Sequence, residues 1–124
     1  MLTKIRTDVT AQADARLRRA WYHSPRADVV LVHDARSGTF VSFEIEWEGR
    51  GARRAYVTWV RGAGLRTGVV DTGETDGLSY KAAALVAWDF QPRADLLHTA
   101  RRLVADAGIE EGLRDALLAR LQPV

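Results

Sequence analysis

Arg50, Arg53, Arg54, Arg61 and Arg66 surround Tyr56 and Trp59 in a stretch, residues 49–70, with five basic and no acidic residues, net +5. Guanidinium groups hold phosphates and aromatic rings stack on bases, the pairing that single-strand nucleic-acid binders use. The residues assigned to that chemistry are Arg53, Arg54, Tyr56, Arg61 and Arg66. The preceding stretch, residues 27–48, carries one basic and five acidic residues, net −4. Its Glu44, Glu46 and Glu48 alternate with apolar residues, so they fall on a wet strand face beside Arg54 and Tyr56. Cross-strand Glu–Arg pairs are an ordinary way to solvate a sheet face, and carboxylates there would repel a phosphate backbone. Pairing is the preferred reading of this hairpin.

Other constellations are weaker. Val69-Val70-Asp71-Thr72-Gly73 resembles the active-site turn of aspartic proteases, in which two such aspartates share one proton. The resemblance spans five residues and ends at Glu74, where those enzymes carry a small residue, so a strand running into a polar turn is the preferred reading. Asp71, Glu74 and Asp76 offer oxygen ligands to a hard cation, but Gly73 and Thr75 occupy the alternating positions a calcium loop would fill with carboxylates. His23, His33 and His98 show no metal-binding spacing. His33-Asp34 falls at a strand end, where a carboxylate could orient an imidazole. Glu44-Ile45-Glu46 lacks the lysine that a metal-dependent nuclease would place beside its acids. A helix-turn-helix reading of the C-terminal third meets Glu110, Glu111 and Asp115 where a recognition helix wants basic and amide groups. Those helices are expected to pack a core.

Composition narrows the class. Hydrophobic residues make up 47% and charged residues 27% of 124, the proportions of a globular chain rather than a disordered one. One domain over residues 1–124 is expected. There is no cysteine, which removes disulfides, thiolate nucleophiles and Cys-based zinc sites. No apolar run approaches the ~20 residues that span a bilayer, and no signal-peptide core follows the first residues. The expectation is a cytoplasmic protein with no membrane contact. The pI is 9.4, yet 16 of the 18 basic residues are arginine in an Ala- and Gly-rich chain, a bias that codon composition also produces.

The elements that must position these residues follow from periodicity. Val9, Ala13, Leu17, Ala20 and Trp21 recur at helical spacing, which predicts an N-terminal helix from Asp8 to about Tyr22, ended by Ser24-Pro25. Asp28–Asp34, Thr39–Glu48, Arg53–Arg61 and Leu65 to about Asp71 read as strands separated by glycine turns. In the second of these, Thr39, Val41, Phe43, Ile45 and Trp47 share one face, which leaves Phe40 on the polar side. Ala55, Val57 and Trp59 share the core face of the third, opposite Arg54, Tyr56 and Thr58. Ser79–Phe90 is ambiguous between helix and strand, and strand is preferred. Pro92 suits a helix start, the apolar stripe Leu96, Leu97, Ala100, Leu103, Val104 and Ala107 predicts a helix, and Gly108 suits a left-handed end to it. Leu113, Ala116, Leu117 and Leu121 mark a second helix. The predicted fold class is α+β: an N-terminal helix, an antiparallel meander of four to five strands, and a C-terminal helical hairpin on one sheet face.

Functionally, these residues point to a non-catalytic protein-interaction module, self-associating within a cytoplasmic assembly, with Phe40, Trp21 and Tyr22 as interface candidates. Its partner would be itself or another protein. The alternative is a small single-stranded nucleic-acid-binding protein using the arginine–aromatic face above. A further alternative is a hydrolase using His33, Asp34 or Asp71. No metal or cofactor is expected.

Overall fold

The computed structural model describes residues 2–5, 17–37, 39–49, 53–71 and 87–122. Alternating apolar and polar residues build six antiparallel strands: β1 (Thr3–Ile5), β2 (Leu17–Ser24), β3 (Ala27–Asp34), β4 (Phe40–Glu48), β5 (Arg53–Val60) and β6 (Gly64–Asp71). A two-residue seventh, β7 (Ala87–Trp88), joins the far edge, and the sheet order follows the chain from β1 to β7. Helices α1 (Ala94–Asp106) and α2 (Glu111–Arg120) complete the fold. The architecture is α+β, and among the described residues no helix is long and apolar enough to cross a membrane.

The core lies between one sheet face and the two helices. Tyr22, Val29, Leu31, Phe43, Ile45, Trp47 and Val57 point inward from β2–β5 and meet Leu96, Leu97, Ala100 and Val104 of α1 with Leu117 and Leu121 from the α2 end. The helical stripes read from spacing are therefore the buried ones, and the hairpin's work is to cover the sheet.

Four expectations are corrected. Residues 17–22, read as the end of an N-terminal helix, belong to β2; residues 8–16 of that expected helix lie outside the described residues. Ala20 and Tyr22 alternate inward while Arg19, Trp21 and His23 point outward, a period of two that the outward Trp21 disguised. Ser24-Pro25 does not end a helix but opens the tight β2–β3 hairpin: Ser24 is the strand partner of Ala27, and its Oγ accepts from Ala27 N at 3.1 Å. The strand count exceeds the four to five expected because β1 and β2 join the predicted meander; of the strand preferred for Ser79–Phe90, Ala87–Trp88 is β7, and residues 79–86 lie outside the described residues.

Phe40 is the third correction. Leu31 pairs with Phe43 and Val32 with Ser42, but His33 pairs with Phe40, so Val41 is an extra residue on β4. A bulge of this kind reverses the alternation beyond it. It turns Phe40 into the core, where 1% of its surface remains exposed and its ring meets Phe43 edge-on at 6.2 Å. The fourth concerns Gly108. α1 closes through Ala107 in extended conformation, and positive φ occurs among the described residues only at Gly62 and Gly64 of the β5–β6 turn. There φ is +89° and +85°, the left-handed region that glycine enters without a Cβ penalty.

A buried polar joint links the last strands to the first helix. Thr67 is fully buried. Its hydroxyl donates to Asp89 Oδ2 at 2.6 Å and accepts from Arg93 N at 3.0 Å. Asp89 N in turn donates to Thr67 O at 2.8 Å. The backbone N–H at the start of α1, which has no side-chain cap of its own, is thus satisfied by a strand side chain.

Candidate functional site

The sheet face opposite the helices carries the polar half of every alternation. Successive registers align it in rungs: His23, Asp28, Glu46, Tyr56, Gly68 and Trp88 in one, and Trp21, Val30, Glu44, Thr58 and Arg66 in the next. A further rung is Arg19, Val32, Ser42, Val60 and Gly64. The predicted placement of Glu44, Glu46 and Glu48 beside Arg54, Tyr56 and Thr58 holds, because Glu44 pairs with Thr58, Glu46 with Tyr56 and Glu48 with Arg54.

Most of the charge on this face is compensated locally. Asp28 Oδ1 accepts the Trp21 indole N–H at 2.8 Å and lies 2.6 Å from His23 Nδ1, which must be the donor because a carboxylate oxygen only accepts. The Trp21 and His23 rings meet edge-on at 6.0 Å. Arg54 Nε stands 3.6 Å from Glu46 Oε2. Tyr56 also donates its hydroxyl to Glu46; burial, that hydrogen bond and the Glu46 charge together push its pKa up to about 12.

Glu44, like Glu48, is an exception. Among the described residues its side chain makes no hydrogen bond or ion pair. Its pKa is raised, first by partial burial, then by the charge of Glu46, with Asp28 adding to the effect and Arg19 opposing it. Two adjoining depressions meet at this carboxylate. One, of about 350 Å³, is lined by Arg19, Val30, Val32, Ser42, Phe43, Glu44, Thr58 and Val60. The other, of about 160 Å³, is lined by Arg19, Trp21, Asp28, Val30, Glu44 and Glu46. Trp21 remains 38% and Val60 46% exposed on their rims. Among the described residues no three His, Asp or Glu side chains are grouped to hold a metal ion.

Of the nucleic-acid candidates, Arg54, Tyr56 and Arg66 fall on the open face, while Arg53 and Arg61 lie at the two ends of β5. Arg54 and Tyr56 are engaged with Glu46. Arg66 lies 4.3 Å over the Trp88 ring. Arg53 begins β5 opposite Asp71, and Arg61 is exposed in the β5–β6 turn; Arg50 lies outside the described residues. Trp59, the second aromatic of that constellation, is on the core side, stacked on Phe43 at 5.8 Å and 12°, with Arg120 5.0 Å over its ring. Of the interface candidates, Tyr22 is 1% exposed and Phe40 is buried, so both serve the core; Trp21 alone reaches the open face.

The hydrolase candidates are dispersed. Asp34 Oδ1 accepts from Arg36 N at 2.8 Å and Ser37 N at 3.1 Å, the pattern of an Asx turn closing the β3–β4 hairpin. His33 sits at the bulge, its Nδ1 buried and without a hydrogen-bond partner among the described residues. Asp71 ends β6, and Glu74 and Asp76 lie outside the described residues. His98 is exposed on α1.

Sequence reasoning missed Arg19, His23 and Asp28 as members of this face. The available signal was the alternation of Arg19, Trp21 and His23 with Ala20 and Tyr22, followed by a two-residue turn and a second alternating run. Comparison with protein-family models, curated proteins and solved structures found no match for this chain.

Proposed function

We propose that the protein is a non-catalytic protein-interaction module whose binding surface is the open face of its sheet. The observation that carries this reading is the pair of depressions meeting at Glu44, rimmed by exposed Trp21 and Val60, on the face that the helices leave bare among the described residues. An aromatic and aliphatic patch with a few fixed polar groups is the composition of a protein contact. The alternative, nucleic-acid binding, is weakened by Asp28, Glu44 and Glu46 on the same face and by the engagement of Arg54 with Glu46. A chain without cysteine suits a reducing setting, and a cytoplasmic assembly is part of the proposal.

The test is site-directed photo-crosslinking in the native host. A photoreactive amino acid is placed at position 21 or 60 on the open face and at Arg102, exposed on α1, as control. Protein adducts at 21 and 60 and none at 102 are expected. Adducts only at 102, or nucleic acid alone at 21 and 60, would refute the reading.

A further inference from the structure

We infer that the open face receives a basic segment of another protein, which sets a lysine or arginine against Glu44 and an aliphatic side chain among Val30, Val32 and Val60. This rests on the interaction reading above and adds the chemistry of the partner.

The charge pattern selects a cation. Asp28 already accepts from Trp21 and His23, and Glu46 from Tyr56 with Arg54 nearby. Glu44 has no hydrogen bond or ion pair among the described residues, and its nearest charged neighbours include two carboxylates against one guanidinium, that of Arg19. An incoming ammonium or guanidinium would offset that repulsion and form a charge-assisted hydrogen bond. The neighbouring depression supplies the other half of the contact, since Val30, Val32 and Val60 give it an apolar lining beside the carboxylate. The ligand that matches both is a basic residue flanked by aliphatic ones, in an extended strand whose alternate side chains face the sheet.

A second copy of this chain fits poorly. β4 is the middle strand of the seven described. Packing two copies face to face about a two-fold axis brings the Glu44–Glu46 region of one near that of the other, where carboxylates oppose carboxylates. A phosphate backbone meets the same obstacle.

The experiment titrates the isotope-labelled protein with short peptides and follows its backbone amide resonances. The probes are peptides centred on Ile-Lys-Val and Ile-Arg-Val, their Ile-Glu-Val and Ser-Lys-Ser counterparts, and a single-stranded oligonucleotide. The basic–aliphatic peptides should shift the resonances of Val30, Glu44 and Val60, and the others should bind at least several-fold more weakly. Glu44→Gln should weaken the basic peptides roughly three- to tenfold, as loss of a partly exposed charged contact does. Val60→Thr, whose fold the same spectra check, should weaken them while leaving their salt dependence unchanged. Equal binding of Ile-Glu-Val, preferential binding of the oligonucleotide, or a dimer formed through this face without peptide binding would each overturn the inference. Crosslinks to another protein at positions 21 and 60 with no response to any basic peptide would overturn the partner chemistry and leave the interaction module standing. Absence of both would remove both.

Discussion

Thr67→Val is the sharpest test of how this fold is held together. The substitution keeps the shape of the side chain and deletes its hydroxyl, at a position with no solvent exposure. That hydroxyl donates to the Asp89 carboxylate at 2.6 Å and accepts from the Arg93 backbone N–H at 3.0 Å. The bond to a charged acceptor is worth about 1.5–3 kcal/mol and the neutral one about 0.5–1.5, and a deleted partner leaves buried groups unsatisfied. Valine's extra apolar burial returns part of this, so the expected net loss is about 2–3 kcal/mol. For a chain of this length that lowers the thermal midpoint by roughly 6–12 °C. Urea denaturation of the wild type, Thr67→Val and Thr67→Ser gives the comparison directly. Thr67→Ser keeps both hydrogen bonds and removes one methyl group, for about 1 kcal/mol. If Thr67→Val costs less than about 0.5 kcal/mol, or if Thr67→Ser costs more than Thr67→Val, the hydroxyl is not what joins β6, β7 and α1.

Three further outcomes follow from the packing and the titrations. Phe40→Ala should cost about 3–5 kcal/mol by denaturant unfolding, as for a fully buried ring; a cost below about 1 kcal/mol would return Phe40 to the polar face and refute the bulge. Tyr56 ionises at about 12 in the folded chain against about 10 when unfolded, so its contribution to stability is complete below pH ~10 and is lost as pH rises toward 12. Ultraviolet-difference titration should show a late phenolate that Tyr56→Phe removes, leaving the raised Tyr22; unchanged late absorbance in that variant counts against the Glu46 bond. The raised pKa of Glu44 favours its protonated form in the folded chain, so stability gained at low pH is lost as pH rises through that pKa. Glu44→Gln should therefore be neutral to stabilising at pH 7, with the difference shrinking in acid, while basic-peptide binding by the wild type fades as Glu44 is protonated. A destabilised Glu44→Gln at pH 7 would mean that this carboxylate has a local partner.

Local pattern was enough for much of this protein. The clean alternation of Phe43, Ile45 and Trp47 with Glu44, Glu46 and Glu48 defined β4 and which way it faces. Ala55 and Val57 did the same for β5, and the leucine stripes marked α1 and α2, because burial on one side imposes a period of two on strands and 3.6 on helices. The pairing of Glu46 and Glu48 with Tyr56 and Arg54 followed from two adjacent alternating runs joined by a glycine turn. Where a residue broke that rule, the sequence misled. Trp21 is apolar in type but outward in place, held there by Asp28, and it made β2 resemble a helix. Phe40 sits one residue beyond a bulge, and a bulge leaves no compositional mark; only the shifted pairing with β3 reveals it. Gly108 follows a helix without adopting the conformation that only glycine favours.

The candidate site was hidden for a further reason. Arg19, Val30, Glu44 and Val60 come from four strands and become neighbours only when the register aligns them. Sequence alone determined the two faces of the central hairpin and the helices that cover one of them. Tertiary structure decided which aromatics are core, which charges already have partners, and that Glu44, without one among the described residues, stands beside an apolar depression, since those properties belong to distances between strands and not to order along the chain.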